Sequence, residues 1–158
     1  MSQKIKPFLW FDKEAEEAMN FYVSIFKNSE VLGVSRYGEG GPGPAGSVMT
    51  ANFRLDGLEF IALNAGPMFK FSEAISFMID CENQDEVDYY WDRLTAGGEP
   101  SQCGWLKDKF GLSWQVTPRI LGELLGDQDP AKANRAMQAM LQMTKIDIET
   151  LKQAHEGS

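Results

Sequence analysis

One order of structural signals runs through the first half of this chain and then starts again. Ile5 to Phe11 is an apolar run of strand length, and Asp12 breaks it. The helix that follows carries Ala15, Ala18, Met19, Tyr22 and Phe26 at helical spacing. Three strand-like runs come next, Val31 to Tyr37, Val48 to Leu55 and Leu58 to Leu63, the last two joined by the hairpin pair Asp56-Gly57. The pattern resumes with a strand from Ala74 to Asp80. A helix follows with Val87, Tyr90, Trp91 and Leu94 on one face, stopped by Gly97-Gly98. A short run from Glu99 to Cys103, then Trp105 to Phe110 and Leu112 to Thr117, supply three more strands, with Lys109-Phe110-Gly111 as the last turn. Phe21-Tyr22 and Tyr89-Tyr90 mark equivalent points of the two helices, so the offset is about 70 residues. The predicted fold class is therefore α+β: one domain over residues 1–158 with two βαβββ modules, about 4–66 and 73–118, and a helical tail over about 119–156.

The tail opens with a short helical segment, Ile120 to Leu125. A longer one carries the stripe Ala133, Ala136, Met137, Met140 and Leu141, with Asp129 as N-cap and Pro130 in its first turn. A last short helix starts near Asp147. A stripe of this kind packs on its own domain or on a dimer partner, or it serves as a Met-rich contact surface for other proteins. A length of 158 residues with 43% hydrophobic content is enough for an ordinary core. The net charge of −8 repels phosphate backbones and anionic lipid surfaces, which argues against nucleic acid or membranes as partners. The apolar run behind Met1-Ser2-Gln3-Lys4 is too short for a signal peptide or a membrane span, so a cytoplasmic location is expected. Cys81 and Cys103 belong to no CxxC pair and are read as reduced, buried thiols.

At the level of words the chain resembles a known group. Pro7-Phe8-Leu9-Trp10-Phe11, Asn20-Phe21-Tyr22, Leu63-Asn64-Ala65-Gly66-Pro67, Ser76-Phe77-Met78-Ile79-Asp80-Cys81, Cys103-Gly104-Trp105 and Phe110-Gly111-Leu112-Ser113-Trp114-Gln115 look like the PhnB-like branch of the vicinal oxygen chelate superfamily, as does Lys145-Ile146-Asp147-Ile148 in the tail. That superfamily includes glyoxalase I, extradiol dioxygenases and bleomycin-resistance proteins. The resemblance implies that each module curls its sheet into a half-open cup, that chains pair as homodimers, and that His and Glu side chains on the first and last strands of each module hold a divalent ion. Registering the strands puts Lys6, Ala62, Ser76 and Gln115 at those positions. Lys is cationic, Ala has no donor, and neutral Ser and Gln oxygens do not replace imidazole and carboxylate, so no metal is expected. His155, the only histidine, lies in the tail.

Members of the branch often carry the name demethylubiquinone methyltransferase, which implies S-adenosylmethionine. The glycine-rich segment from Gly38 to Gly46 leads into a strand and not a helix, so it is read as a hairpin connection with a lid-like role, and no cofactor is expected.

The same register gives a candidate cup lining: Lys6, Phe8, Trp10, Phe60, Asn64, Ser76, Met78, Ser113 and Gln115. Aromatic and apolar walls with scattered hydrogen-bonding groups suit a small organic ligand, although the aromatics could equally fill the cup as core. Lys107 and Lys109 share a strand face with Trp105, either to attract an anion or as a solvated face. Asp80 and Glu82 are read as helix-capping acids, and Glu14, Glu16 and Glu17 as first-turn acids that favour the helix dipole. The expected function is binding of a small apolar or aromatic metabolite by a homodimer without a metal. The alternatives are a metal-free or atypical-metal enzyme of the superfamily, for which Lys6 is the one titratable cup residue, and a structural or regulatory partner acting through the tail.

Overall fold

The computed structural model describes residues 2–157. The chain divides between Phe71 and Ser72 into two compact units. The first contains strand β1 (Phe8–Phe11), helix α1 (Ala15–Ile25), β2 (Glu30–Arg36), β3 (Val48–Leu55) and β4 (Leu58–Asn64). These four strands form one sheet in the order β1-β4-β3-β2. β1 runs parallel to β4, and the other neighbours are antiparallel. The β3–β4 turn has φ of 46° at Asp56 and 83° at Gly57, the left-handed pair that a two-residue hairpin requires. Leu9 and Phe11 are buried with Ala15, Ala18, Met19 and Tyr22 of α1, and the Phe53 and Phe60 rings stack at 5.4 Å beside Tyr22.

The second unit repeats the pattern with β5 (Ser76–Cys81), α2 (Gln84–Thr95), β6 (Glu99–Pro100), β7 (Trp105–Lys107) and β8 (Ser113–Pro118), and its sheet order is β5-β8-β7-β6. Helices α3 (Arg119–Leu125), α4 (Pro130–Leu141) and α5 (Ile148–Glu156) complete it. β7 stops at Lys107 and not at Phe110 because Asp108 turns the chain. Its carboxylate, 2% exposed, accepts hydrogen bonds from Phe110 N at 2.9 Å, Leu112 N at 3.1 Å and Trp114 Nε1 at 2.9 Å.

Asp80 and Glu82 do not cap α2, contrary to expectation. Asn83 does, accepting from Glu86 N, while Asp80 pairs with Arg119 Nε at 3.0 Å.

The tail packs on its own unit. Leu121, Ile146 and Leu151 form a buried cluster with Leu124, Leu125, Ala139, Met140 and Met143 against it. Of the predicted stripe, Ala136 is buried and Met140 joins this cluster, whereas Met137 and Leu141 are exposed. The segment between α4 and α5 is bonded to the β6–β7 hairpin, where Cys103 N and Gly104 N donate to the Met143 and Thr144 carbonyls at 2.8 Å each. Gln84 fastens it to α2: its Nε2 donates to the Ile146 carbonyl at 3.0 Å and its Oε1 accepts from Ile148 N at 2.8 Å. Among the described residues, no helix is long and apolar enough to cross a membrane.

Both cysteines are free thiols, Cys81 buried and Cys103 half-buried. Burial pushes the Cys81 thiol up to about 12, with the nearby Glu86 and Asp80 carboxylates adding to it. The thiolate is the reactive form, so a maleimide or disulfide reagent should modify Cys103 at least about 100-fold faster than Cys81 in the native protein. Equal rates in peptide mass spectrometry would contradict this environment.

Candidate functional site: the open faces of the two sheets

In each unit one sheet face packs on the helices and the other is open. On β1 the open face carries Phe8 and Trp10, as predicted from strand alternation, with Phe8 56% exposed. Trp10 Nε1 donates to the Gly66 carbonyl at 2.9 Å, and Phe69 meets the indole edge-on at 4.8 Å.

The predicted phase of β4 requires correction. Leu9 pairs with Ala62 and Phe11 with Asn64, so Phe60, Ala62 and Asn64 point with Leu9 and Phe11 toward the helix. Phe60 is core, stacked on Phe53. Asn64 holds the start of α1: its Oδ1 accepts from Ala15 N at 2.8 Å, an end that Glu14 leaves without a side-chain cap. Glu59, Ile61 and Leu63 take the open face instead. A slip of one residue exchanges every side chain between the two faces of a strand, and here the parallel pairing with β1 fixes the phase.

Glu59 joins an ion ladder across this face. Lys6 Nζ lies 2.8 Å from Glu59 Oε2 and Arg54 Nη2 3.1 Å from Glu59 Oε1, and Arg54 also pairs with Glu30. The Lys6 ammonium, followed by the Arg54 guanidinium, holds the Glu59 carboxyl below its ordinary range. Lys6 is thus an ion-pair member, poorly placed to serve as a free base or nucleophile.

The second unit keeps the predicted phase. Two rows cross its open face: Ser76, Ser113 and Lys107 in one, and Met78, Gln115 and Trp105 in the next. Gln115 Nε2 donates to Ser76 Oγ at 3.0 Å, and Met78 is 61% exposed. Lys107 pairs with Glu73. Lys109 is not on this face: it follows the end of β7, and its ammonium sits over the Phe110 ring, 5.4 Å from the centroid.

The glycine-rich segment joins antiparallel β2 and β3 and is closed at its root by main-chain hydrogen bonds. Tyr37 and the chain beyond it are tied by Tyr37 N to the Ser47 carbonyl at 2.9 Å and Gly46 N to the Tyr37 carbonyl at 2.8 Å. Gly43 lies so close to the Tyr37 ring that a Cβ there would meet it at 2.5 Å. Between this segment and the start of α1 lies a cleft of about 430 Å³, lined by Asp12, Lys13, Glu16, Tyr37 and Pro44 among others. Sequence reading did not locate it, although the Gly-Pro alternation before β3 was its signal.

Metal chemistry can be tested on the donors. Of the four superfamily positions, Ala62 faces the helix, Lys6 is bonded to Glu59, and Ser76 and Gln115 bond each other. Among the described residues, no three His, Cys, Asp or Glu side chains are grouped to hold an ion. None of these four positions carries an imidazole or a carboxylate.

Two βαβββ units with a parallel first-to-last strand pair in each define a protein of the glyoxalase and bleomycin-resistance fold, within the vicinal oxygen chelate superfamily. The sequence profile of the family described as 3-demethylubiquinone-9 3-methyltransferase matches residues 3–117. The chain belongs to that PhnB-like family. A PhnB protein from Bacillus cereus, named as a candidate 3-demethylubiquinone-9 3-methyltransferase, is 41% identical over 73% of this chain and 99% of its own, with a TM-score of 0.68. Protein PA1353 from Pseudomonas aeruginosa is 21% identical over 74% of this chain and 98% of its own, at a TM-score of 0.62. The fosfomycin resistance protein FosX from Listeria monocytogenes is 21% identical over 80% of this chain and 99% of its own, at 0.55. These last two share the fold alone. No functionally curated protein matches the chain. Helices α3 to α5 lie beyond the matched profile.

Proposed function

We propose that this chain binds a small organic molecule on its open sheet faces without a resident metal, and catalyses no methyl transfer. The observation that carries this reading lies on the second sheet, where exposed Met78 stands beside the hydrogen-bonding groups of Gln115 and Ser76. An apolar body with a few polar anchors is the usual make-up of a small-molecule site. Lys6, the titratable group on which an enzyme reading would rest, is paired with Glu59. The methyltransferase name of the family finds no glycine-rich turn between a strand and a helix here, since Gly38 to Gly46 bridges two antiparallel strands. The two free thiols favour a reducing compartment, the cytoplasm.

Native mass spectrometry of freshly purified protein should detect one organic molecule per chain. The variant Met78→Asp should weaken its rebinding at least about tenfold, or about 1.4 kcal/mol. Stoichiometric transition metal by elemental analysis, or micromolar S-adenosylmethionine affinity, would overturn the reading.

A homodimer is the expected working form. The tail stripe supports it only in part, because Ala136 and Met140 pack on their own unit while Met137 and Leu141 stay exposed. Support comes from exposed Val31, Leu32 and Val34 on the edge strand β2, a long apolar edge of the kind that natural proteins rarely leave open. Light scattering at micromolar concentration should give twice the chain mass, and a monomer mass that stays constant on concentration would refute it.

A further inference from the structure

The second sheet carries a buried donor that its own chain leaves unused. Ser113 is 1% exposed, and its hydroxyl oxygen has no hydrogen-bond partner. A buried polar group left unsatisfied costs roughly 1–3 kcal/mol, so native chains keep few of them without a use. Ser113 stands in the middle of a row. Ser76 is its cross-strand partner on β5 and Lys107 on β7, with Glu99 beyond Lys107 on β6. Directly opposed side chains lie about 5 Å apart, so one small group can touch the lysine and the serine together.

Lys107 does not lack a carboxylate, because Glu73 supplies one from the segment that leads into β5. Both side chains are well exposed, 38% and 62%, and such a pair is held only weakly in water. We propose that the open face of the second sheet takes the carboxylate of a small organic acid, and that Glu73 stands in for this carboxylate when no ligand is bound. The proposal rests on the small-molecule-binding reading above and names the ligand class.

On binding, the incoming carboxylate replaces that of Glu73 on Lys107, so the row keeps its charge count, including the nearby Glu99. It also accepts from the Ser113 hydroxyl, which Glu73 leaves without a partner. Ser76 and the Gln115 amide, already bonded to each other, border the same place, and Trp105 and Met78 in the next row offer an apolar wall for the acid's body. No covalent step is involved.

Calorimetric titration with benzoate and 2-naphthoate, each against its neutral amide, tests this on the full chain. The acids should bind at least fivefold more tightly than the amides. Glu73→Gln should strengthen acid binding by fivefold or more and leave amide binding unchanged, which a merely structural surface pair would not do. Lys107→Met should abolish the preference for the acid. Ser113→Ala should weaken acid binding while leaving the melting temperature equal or higher, because it removes an unsatisfied hydroxyl. Equal binding of acids and amides, unmoved by Glu73→Gln, would sink the acid proposal and leave the binding reading in place. No binding of either class, to the native chain or to Glu73→Gln, would sink both.

Discussion

Asp108→Ala should destabilise the second unit by about 3–5 kcal/mol, read as a drop in urea midpoint with an unchanged slope. Alanine leaves Phe110 N, Leu112 N and Trp114 Nε1 without their acceptor at the point where β7 turns back as β8. Each orphaned donor costs roughly 1–3 kcal/mol where water cannot reach it, and partial relaxation keeps the sum below the simple total. A typical domain has only about 5–15 kcal/mol in all, so this one change should bring the unit near unfolding at 37 °C. Asn at the same position keeps an oxygen for the two backbone donors but turns an N–H₂ toward the indole, and should lose less, about 1.5–3 kcal/mol. A loss below about 1 kcal/mol for the alanine variant would show that the turn forms without the carboxylate.

Gly104→Ala comes next, at about 2–4 kcal/mol. Its φ is 84°, and a Cβ there would stand 2.8 Å from the Val116 carbonyl oxygen and 3.1 Å from Ile146 Cγ1. The added methyl therefore strikes β8 on one side and the segment between α4 and α5 on the other. Gly111→Ala is the control: its φ is 88°, yet nothing lies within 4 Å of the built Cβ. It should cost only the conformational part, about 1–2 kcal/mol. The difference between the two variants isolates the close approach. Limited proteolysis should cut the tail of Gly104→Ala near Met143 at protease levels that spare Gly111→Ala, and identical cleavage would refute the clash.

The architecture was legible because its signals are local. Helical spacing, the Asp56-Gly57 hairpin and the repeat of aromatic pairs each act within a few residues, and the strands formed where they pointed. The end of β7 was not, because the power of Asp108 to stop a strand depends on an indole six residues on, brought within reach by the fold. Phe60 and Asn64 went astray for a related reason. An Ala-Leu-Asn sequence reads equally well in either phase, and the decision lies with β1, whose parallel pairing fixes which face β4 shows the helix. The tail was read with three destinations, its own domain, a dimer partner or another protein, and its bonds to the Cys103-Gly104 hairpin and α2 place it against its own unit.

The way the tail is fastened also sets which of its residues can drift. At the hairpin the joint is main chain to main chain, so the identities of Met143 and Thr144 hardly matter to those two bonds. At α2 a single amide both gives and accepts, through Gln84. Glutamate there would have no proton to offer, and lysine no lone pair. Even asparagine would fall short by one methylene. The main-chain seam is therefore forgiving where its side chain has no other duty, and the other seam is held to a single amino acid. A library of random variants selected for folding should come back varied at 144, apolar at 143, which also packs on the Leu121, Ile146 and Leu151 cluster, and nearly fixed at 84.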